Sequence, residues 1–239
     1  AWMARGYLLS FSDPVHMRGA PEALRRAVAL DPRNAEALHQ LGWILQELGD
    51  DRAAVESFGR ALATDPDRPS RLWHLGRAHI ITREYDAARV WLDSAVRMDP
   101  HSVLSHTMRS FLNSIEGRAA DALADAHRAS ALDGGIFGEA ALAIAEARGG
   151  RLAEGRRRAH RMRDSTAAAR PVPVVAAWLT GMALVAVGDT ADAFTLLERA
   201  EPRGAHLAFD LRWPLFDPVR SARRFQALEA ESRSGTRPR

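Results

Sequence analysis

The nine histidines are the residues of this chain that most directly suggest metal binding or acid–base catalysis. His74 and His79 are five residues apart, as are His101 and His106, so neither pair has the i, i+4 spacing of a zinc site on one helix. There is no His-Glu-x-x-His motif, and there is no cysteine. We therefore interpret the histidines as packing and surface residues, and we expect no metal site and no cofactor.

Other catalytic signatures are also missing. The glycine pairs at 134–135 and 149–150 stand at the ends of predicted helices and do not form a phosphate-binding loop. No G-x-S-x-G nucleophile elbow is present, and no pair of carboxylates stands out from the ordinary charge of helix surfaces. The sequence thus favours a protein that is not an enzyme.

A cluster of arginines is the most pronounced charge feature, and no acidic residue interrupts it. Its members are Arg156, Arg157, Arg158, Arg161 and Arg163. The apolar stripe that would turn them outward comprises Leu152, Gly155, Ala159 and Met162. One interpretation is a patch for an acidic or phosphate-rich partner, and the other is a solvated helix face near Glu146 and Glu154. No aromatic residues interleave with the arginines, so binding of single-stranded nucleic acid is poorly supported.

The overall composition is that of an ordinary folded chain of 239 residues with a formal net charge of +3. All 33 basic residues are arginine, which we attribute to coding bias and do not interpret as a nucleic-acid signature. The most apolar stretch, Val174 to Val187, is too short and too interrupted to span a membrane. No secretory signal pattern is present. We expect a cytoplasmic protein, or an exported one if its parent has an upstream membrane span.

The chain begins at Ala1 with no methionine, and we therefore expect a fragment of a longer protein or a processed one.

An internal repeat of 34 residues organises the first half of the chain. Pro32, Pro66 and Pro100 each follow an aspartate and are separated by 34 residues. Two columns of alanine keep the same interval, namely Ala20, Ala54, Ala88 and Ala122, and Ala27, Ala61, Ala95 and Ala129. Within one period, apolar residues recur at helical spacing on two segments separated by Gly49-Asp50. Each period is therefore predicted to form two antiparallel helices.

These residues resemble the tetratricopeptide repeat, whose pattern is large-x2-Leu-Gly-x2-aromatic, then Ala-x3-Phe, then Pro. The second repeat matches with Leu38, Leu41, Gly42, Leu45, Ala54, Phe58 and Pro66. The third matches with Leu72, Leu75, Gly76, His79, Ala88, Leu92 and Pro100. The resemblance implies an all-α, right-handed superhelical α-solenoid of about six helix pairs with a C-terminal capping helix.

The predicted solenoid spans residues 1–231, with repeats near 1–34, 35–68, 69–102, 103–136, 137–170 and 174–203 and a cap at 204–231. Repeat one would begin with a helix around Trp2, Tyr7 and Leu8, followed by a turn at Asp13-Pro14. Repeat four carries Arg109 and Ser110 where the pattern has Leu-Gly. Residues 164–173 are predicted to form a loop because of their prolines and small residues, and residues 232–239 are predicted to be a disordered tail.

In this family the first helix of each repeat lines a concave groove that binds proteins or peptides. The resemblance assigns to that groove His39, Trp43, Gln46, Trp73, His74, Arg77, Thr107 and Phe111. Trp43 and Trp73 lie off the Leu-Gly stripe, so they either anchor a partner or pack between adjacent repeats. The chain has no lysine, which argues against the family's lysine-dependent clamp for a peptide C-terminal carboxylate.

The C-terminal stretch from Leu211 to Leu228 looks like the closing segment of repeat regions in bacterial signalling proteins, namely winged-helix activators, nucleotide cyclases and Ser/Thr kinases. Phe216, Val219, Phe225 and Leu228 are expected to cover the open end of repeat six. The resemblance implies a protein-binding module that is the sensory or scaffolding part of a larger signalling protein. The alternatives are a free-standing adaptor in an assembly complex and a nucleic-acid-associated regulator that uses the arginine cluster. The oligomeric state stays open.

Overall fold

A computed structural model describes residues 3, 19–133, 135–201 and 210–234. The predicted first helix around Trp2, Tyr7 and Leu8, the turn at Asp13-Pro14, the start of the cap before residue 210 and the end of the tail after 234 lie outside these residues. The described helices follow the chain as antiparallel pairs. They are α1 (Ala20–Leu30), α2 (Ala35–Glu47), α3 (Asp51–Thr64), α4 (Pro69–Ile81), α5 (Tyr85–Met98), α6 (Val103–Ile115), α7 (Ala119–Asp133), α8 (Ile136–Arg148), α9 (Leu152–Ala168), α10 (Val174–Ala186), α11 (Thr190–Arg199) and α12 (Arg223–Ser234).

Two short elements complete the described structure. Strands β1 (Val172–Pro173) and β2 (Ala200–Glu201) pair in parallel over two residues, and a 3-10 helix covers Pro214–Val219. None of the described helices combines the length and the apolar character that a membrane crossing requires.

Helix ends are set by residues that cap them or that tolerate the left-handed conformation. Asn34 caps α2 by accepting a hydrogen bond from the Ala37 amide at 2.9 Å. The turns between paired helices pass through left-handed residues, which favours glycine because it lacks a Cβ. Gly49, Gly117 and Gly188 occupy this position with φ of 90°, 75° and 88°. The turn of repeat three uses Arg83 instead, with φ of 63°.

Paired helices approach closely because small residues lie at their contacts. A methyl group placed on Gly42 would lie 2.8 Å from the Phe58 ring, and one on Gly76 would lie 2.6 Å from Leu92. The alanine columns face the same contacts, since Ala54 and Ala88 are fully buried. The 34-residue register therefore reflects the space between helices, as the sequence predicts.

The closest approach between neighbouring repeats involves Gly138, where an added methyl group would lie 2.7 Å from the Ser130 Cα of α7. Because the obstacle is backbone, we expect Gly138→Ala to lower the free energy of unfolding by about 1–3 kcal/mol. Gly59 on α3 has open space around it, and Gly59→Ala should raise stability by roughly 0.5–1 kcal/mol through helix propensity. Urea unfolding followed by circular dichroism measures both; equal effects of the two substitutions would contradict this packing.

Two details of the sequence prediction are wrong. Residues 164–168 continue α9 to Ala168 instead of entering a loop, because the run Ala167–Ala169 extends the helix by more than a turn before Pro171 ends it. Leu152, assigned to the apolar stripe, is 44% exposed because it is the first residue of α9 and lies beyond the contact with α8. Gly155, Ala159 and Met162 are buried as predicted. At the other end, α12 reaches Ser234, three residues into the stretch predicted to be a tail.

Candidate functional site

The first helices of the repeats form one continuous surface, which we call the first-helix surface. Successive first helices from α4 to α10 contact one another along it. The structure places all the predicted groove residues on α2, α4 and α6, which are first helices. These eight residues do not share one environment. They divide into an open group, a covered group and the hydrogen-bonded pair of Gln46 and Arg77.

The open group is an aromatic strip formed by His39, Trp43, Trp73 and His74, which are all partly buried. The rings of Trp73 and His74 stack with centroids 3.6 Å apart, and His39 meets His74 edge-on at 4.6 Å. Trp73 also packs against both hydrophobic clusters of the core. Trp73 therefore fills a joint between repeats while one part of it stays at the surface.

The imidazoles of the aromatic strip are uncharged at neutral pH. Burial lowers the pKa of His39 from 6.5 to about 4, and the charges of Arg71 and Arg77 act in the same direction against the opposing effect of Glu36. Burial also lowers the pKa of His74 well below 6.5, with further contributions from Arg77 and His39. The His74 Nδ1 donates to the carbonyl of Ser70 at 2.8 Å. The strip thus presents a neutral aromatic surface.

Arg77 does not offer a simple exposed charge beside the strip. It donates to the Oε1 of the fully buried Gln46 at 2.7 Å, and its guanidinium lies over the Trp73 ring at 5.8 Å from the centroid. The charges of Glu47 and Asp210 also act on it. Arg77 and Gln46, both predicted to contact a partner, are thus engaged inside the fold.

The covered group is Thr107 and Phe111 on α6, and both are fully buried. Phe111 meets the ring of Trp213 edge-on at 5.7 Å, and Trp213 also contacts Trp178 of α10 at 5.3 Å. These two predicted groove residues are therefore closed off by the chain's own C-terminal part.

The residues that cover them belong to the closing segment, which we define as residues 210–219. Its apolar side chains Leu211, Trp213, Leu215 and Phe216 are at most 1% exposed. Arg212 donates to the carbonyl of Gln46 and to Asp51 Oδ1, and so reaches the turn of repeat two. Arg83 in the turn of repeat three forms a paired contact with Asp217, at 2.8 and 2.9 Å.

Burial raises the pKa of Asp210 well above 3.8, and Glu47 adds to this effect while Arg77 and Arg212 oppose it. The contact of the closing segment with the first helices is not predicted by the sequence. Its one signal is the aromatic and proline-rich composition of the stretch after Leu211, which predicts only an end cap.

The end cap itself is present in α12. Phe225 lies 6.3 Å from Phe194 of α11 and 5.5 Å from Phe216, measured between ring centroids. Arg224 forms an ion pair with Glu198 of α11. The contact between Phe225 and Phe216 thus joins the cap over repeat six to the closing segment. The sequence prediction places Phe216, Val219, Phe225 and Leu228 at the end of repeat six alone.

The arginine cluster on α9 is mostly paired with carboxylates. Arg158 contacts Glu139 and Glu146 at 2.8 and 3.1 Å, and Arg163 contacts Asp192 at 2.6 Å. The remaining ion pairs join Arg156 to Asp189 and Arg157 to Glu154. These contacts offset most of the positive charge, which favours the interpretation of the cluster as a solvated helix face.

A buried polar network replaces apolar packing in repeat four, where Arg109 and Ser110 stand in the Leu-Gly positions. Asp125 accepts hydrogen bonds from His106 Nδ1 at 3.0 Å, from Arg109 Nε at 2.8 Å and from Asn113 Nδ2 at 3.1 Å. Ser110 Oγ donates to the Ala122 carbonyl at 2.9 Å. His106 is therefore a structural residue. No group of three or more potential metal ligands occurs in the described ranges.

A sequence profile described as tetratricopeptide repeat matches residues 23–56, which cover the end of repeat one and most of repeat two. Together with the succession of paired helices, this match shows that the chain has the fold of a tetratricopeptide-repeat solenoid. In this fold the first-helix surface is the concave side of the solenoid. No curated protein matches the sequence closely enough to count as a relative.

Solved structures with the same tetratricopeptide fold extend over most of the chain. TTC0263 of Thermus thermophilus is 22% identical, with a TM-score of 0.60 and coverage of 74% of this chain and 96% of its own. A tetratricopeptide repeat protein of Parabacteroides merdae is 16% identical, with a TM-score of 0.61 and 97% coverage of both chains. PilF of Pseudomonas aeruginosa is 16% identical, with a TM-score of 0.59 and 96% coverage of both. At these identities the likeness establishes the fold alone.

Proposed function

We propose that this chain is a non-enzymatic protein-binding module, and that its partner binds the aromatic strip on repeats two and three. The observation that carries the proposal is the division of the concave surface. Trp213 of the closing segment covers the first helices of repeats four and six there, whereas the aromatic strip remains partly exposed. Tryptophan is among the residues most enriched in the energetically dominant positions of protein interfaces.

The chemistry of the strip favours an apolar segment as the partner. Its two imidazoles are neutral. The guanidinium of Arg77 is hydrogen-bonded to Gln46 and lies within the electrostatic influence of Glu47 and Asp210, so its charge is balanced inside the fold. A partner with aromatic or aliphatic side chains would extend the stack of Trp73 and His74.

The proposed context is the sensory or scaffolding part of a larger bacterial signalling protein. It is supported by the resemblance of the C-terminal stretch to the closing segments of such proteins. The reading frame upstream of Ala1 tests it directly, because a kinase, cyclase or winged-helix domain there would establish the class. The nucleic-acid alternative is disfavoured, because Glu139, Glu146 and Asp192 already pair with arginines of the cluster on α9.

Trp73→Ala and Trp43→Ala are each expected to weaken capture of the native partner by about 2 kcal/mol or more, or roughly 30-fold, because each removes an aromatic anchor. Trp91→Ala is the matched control, since Trp91 is partly buried and lies on the second helix α5, away from the strip. Quantitative pull-down from lysate of the source cell, combined with circular dichroism, measures both effects. The proposal fails if Trp91→Ala weakens capture as much as the other two, or if both strip variants bind normally.

A further inference from the structure

The closing segment contacts repeats that are far apart along the solenoid, from repeat two to repeat six. Through Arg212 it reaches the end of α2 and the start of α3 in repeat two. Through Asp217 it reaches Arg83 in repeat three, and through Trp213 it reaches α6 and α10 in repeats four and six. Ten residues of chain thus join four of the six repeats along one surface.

The segment is seated as a peptide ligand would be seated. Leu211, Trp213, Leu215 and Phe216 are buried, and the ring of Trp213 lies against Phe111 and Trp178 of two first helices. Pro214 and Pro218 restrict the backbone of the segment. Arg220, which follows the segment, donates hydrogen bonds to the carbonyls of Leu211 and Arg212 at 3.3 and 3.4 Å.

Arg220 also pairs with Glu229 of α12 at 2.7 Å. The segment is therefore fixed both to the concave surface and to the capping helix.

We propose that the closing segment is an internal ligand of the concave surface, and that it acts as a strap holding repeats two to six at one curvature. In a solenoid each unit packs only on its neighbours, so curvature accumulates from small rotations at every interface. A link between repeats two and six removes that freedom, because no interface along the way can rotate without breaking contacts of the strap. The proposal goes beyond the proposed function, since it holds whether or not a partner binds the aromatic strip.

Two features of the sequence are explained by this role. Arg83 replaces the usual glycine at a left-handed turn, and its side chain forms the ion pair with Asp217 that ties repeat three to the strap. Gly49 lies at the other attachment point, where a methyl group would come within 3.1 Å of the Arg212 guanidinium. The turns of repeats two and three thus differ because they meet different parts of the strap.

The absence of cysteine makes the curvature directly measurable, because an introduced pair of cysteines can be spin-labelled selectively. Arg60 on α3 and Arg157 on α9 are both exposed and lie in repeats two and five. In the full chain carrying Arg60→Cys and Arg157→Cys, double electron–electron resonance should give one narrow distance distribution. Adding Trp213→Ala should at least double its width and shift it to longer distances, because the contact between repeats four and six is lost.

A charge exchange protects the test against a variant that fails to fold. Asp217 pairs with both Arg83 and Arg220, so Asp217→Arg places a third arginine beside these two and should broaden the distribution. Combining it with Arg83→Asp restores a pair of opposite charges between repeat three and the strap, and should narrow the distribution again. Aspartate tolerates the left-handed conformation at residue 83. Arg224→Ala, which removes an ion pair between adjacent elements only, should leave the distribution unchanged.

If Trp213→Ala reduces helical content, the charge exchange decides the question alone. A distribution that stays narrow in Asp217→Arg, or one that the exchange with Arg83→Asp does not narrow, overturns the strap and leaves the segment as an end cap.

Discussion

A chain that ends after Pro214 is expected to lose several kcal/mol of stability and to aggregate. The deletion removes Leu215, Phe216, Val219, Phe225 and Leu228, which are between 0% and 6% exposed. Burying each such side chain contributes about 1.5–3 kcal/mol, so their sum is comparable to the whole stability of many domains. The deletion also uncovers Phe194 of α11, whose ring lies 6.3 Å from that of Phe225, and so adds apolar surface at the end of repeat six.

Thermal unfolding by circular dichroism and light scattering together measure the effect of this deletion. Because a solenoid can unfold repeat by repeat, we expect the melting of the truncated chain to broaden as well as to shift downward. The control is Arg224→Ala, which removes the exposed contacts of Arg224 with Glu198, Thr195 and the Phe194 ring and should change stability by less than about 1 kcal/mol. A truncated chain that stays monomeric and melts like the parent would show that the residues after Pro214 do not contribute to the stability of the fold.

The helix pairs could be predicted from the sequence because they depend on local, repeated constraints. Asp50 and Gly49 end one helix and begin the next within two residues, and Gly42 faces Phe58 only sixteen residues later. The residues that determine each helix pair therefore lie within that repeat, and their recurrence every 34 residues can be recognised in the sequence. The same logic failed at residues 164–168, where small residues compatible with either a loop or a helix continue α9.

The arrangement of the candidate site could be predicted only in part, because its contacts are distant in sequence. The aromatic strip follows from the repeat register, since His39 and Trp73 belong to the first helices that the pattern identifies. The contact between Arg83 and Asp217 joins residues 134 positions apart, and that between Arg212 and Asp51 joins residues 161 apart. No periodicity links such residues, so the return of the segment to the first-helix surface cannot be predicted from the sequence pattern.

The polar network of repeat four shows why a departure from the repeat pattern is informative. The sequence reveals that Arg109 stands where Leu41 and Leu75 stand in the earlier repeats. It does not reveal that Asp125 lies opposite, because the partner is chosen by the packing of α6 on α7. In the structure Asp125 is 5% exposed and is surrounded by donors from His106 and Asn113 as well as Arg109.

Asp125→Ala is expected to lower the free energy of unfolding by about 3 kcal/mol, because it removes the acceptor that Arg109, His106 and Asn113 share. Arg109 then keeps its second carboxylate partner, Asp93, at 3.0 Å. Asp121→Ala is the matched control on the same helix. Asp121 pairs with Arg118 at the surface, so its loss should cost less than about 1 kcal/mol. Introducing Arg109→Leu into the Asp125→Ala chain should restore part of the stability, because it removes a guanidinium that has lost one of its two carboxylate partners and supplies the leucine of repeats two and three.

The effect of Asp125 should also depend on pH with a definite sign. Burial alone would raise the pKa of Asp125, but hydrogen bonds from His106 and Arg109 and the charge of Arg109 hold it below 3.8. A carboxylate whose pKa is lower in the folded state stabilises the fold above the unfolded value, and this contribution disappears as the pH falls through the folded value. Urea unfolding at neutral pH and near pH 3 should therefore show the difference between parent and Asp125→Ala shrinking in acid. A difference that is small at neutral pH, or that grows in acid, would mean that the carboxylate is not the centre of the network.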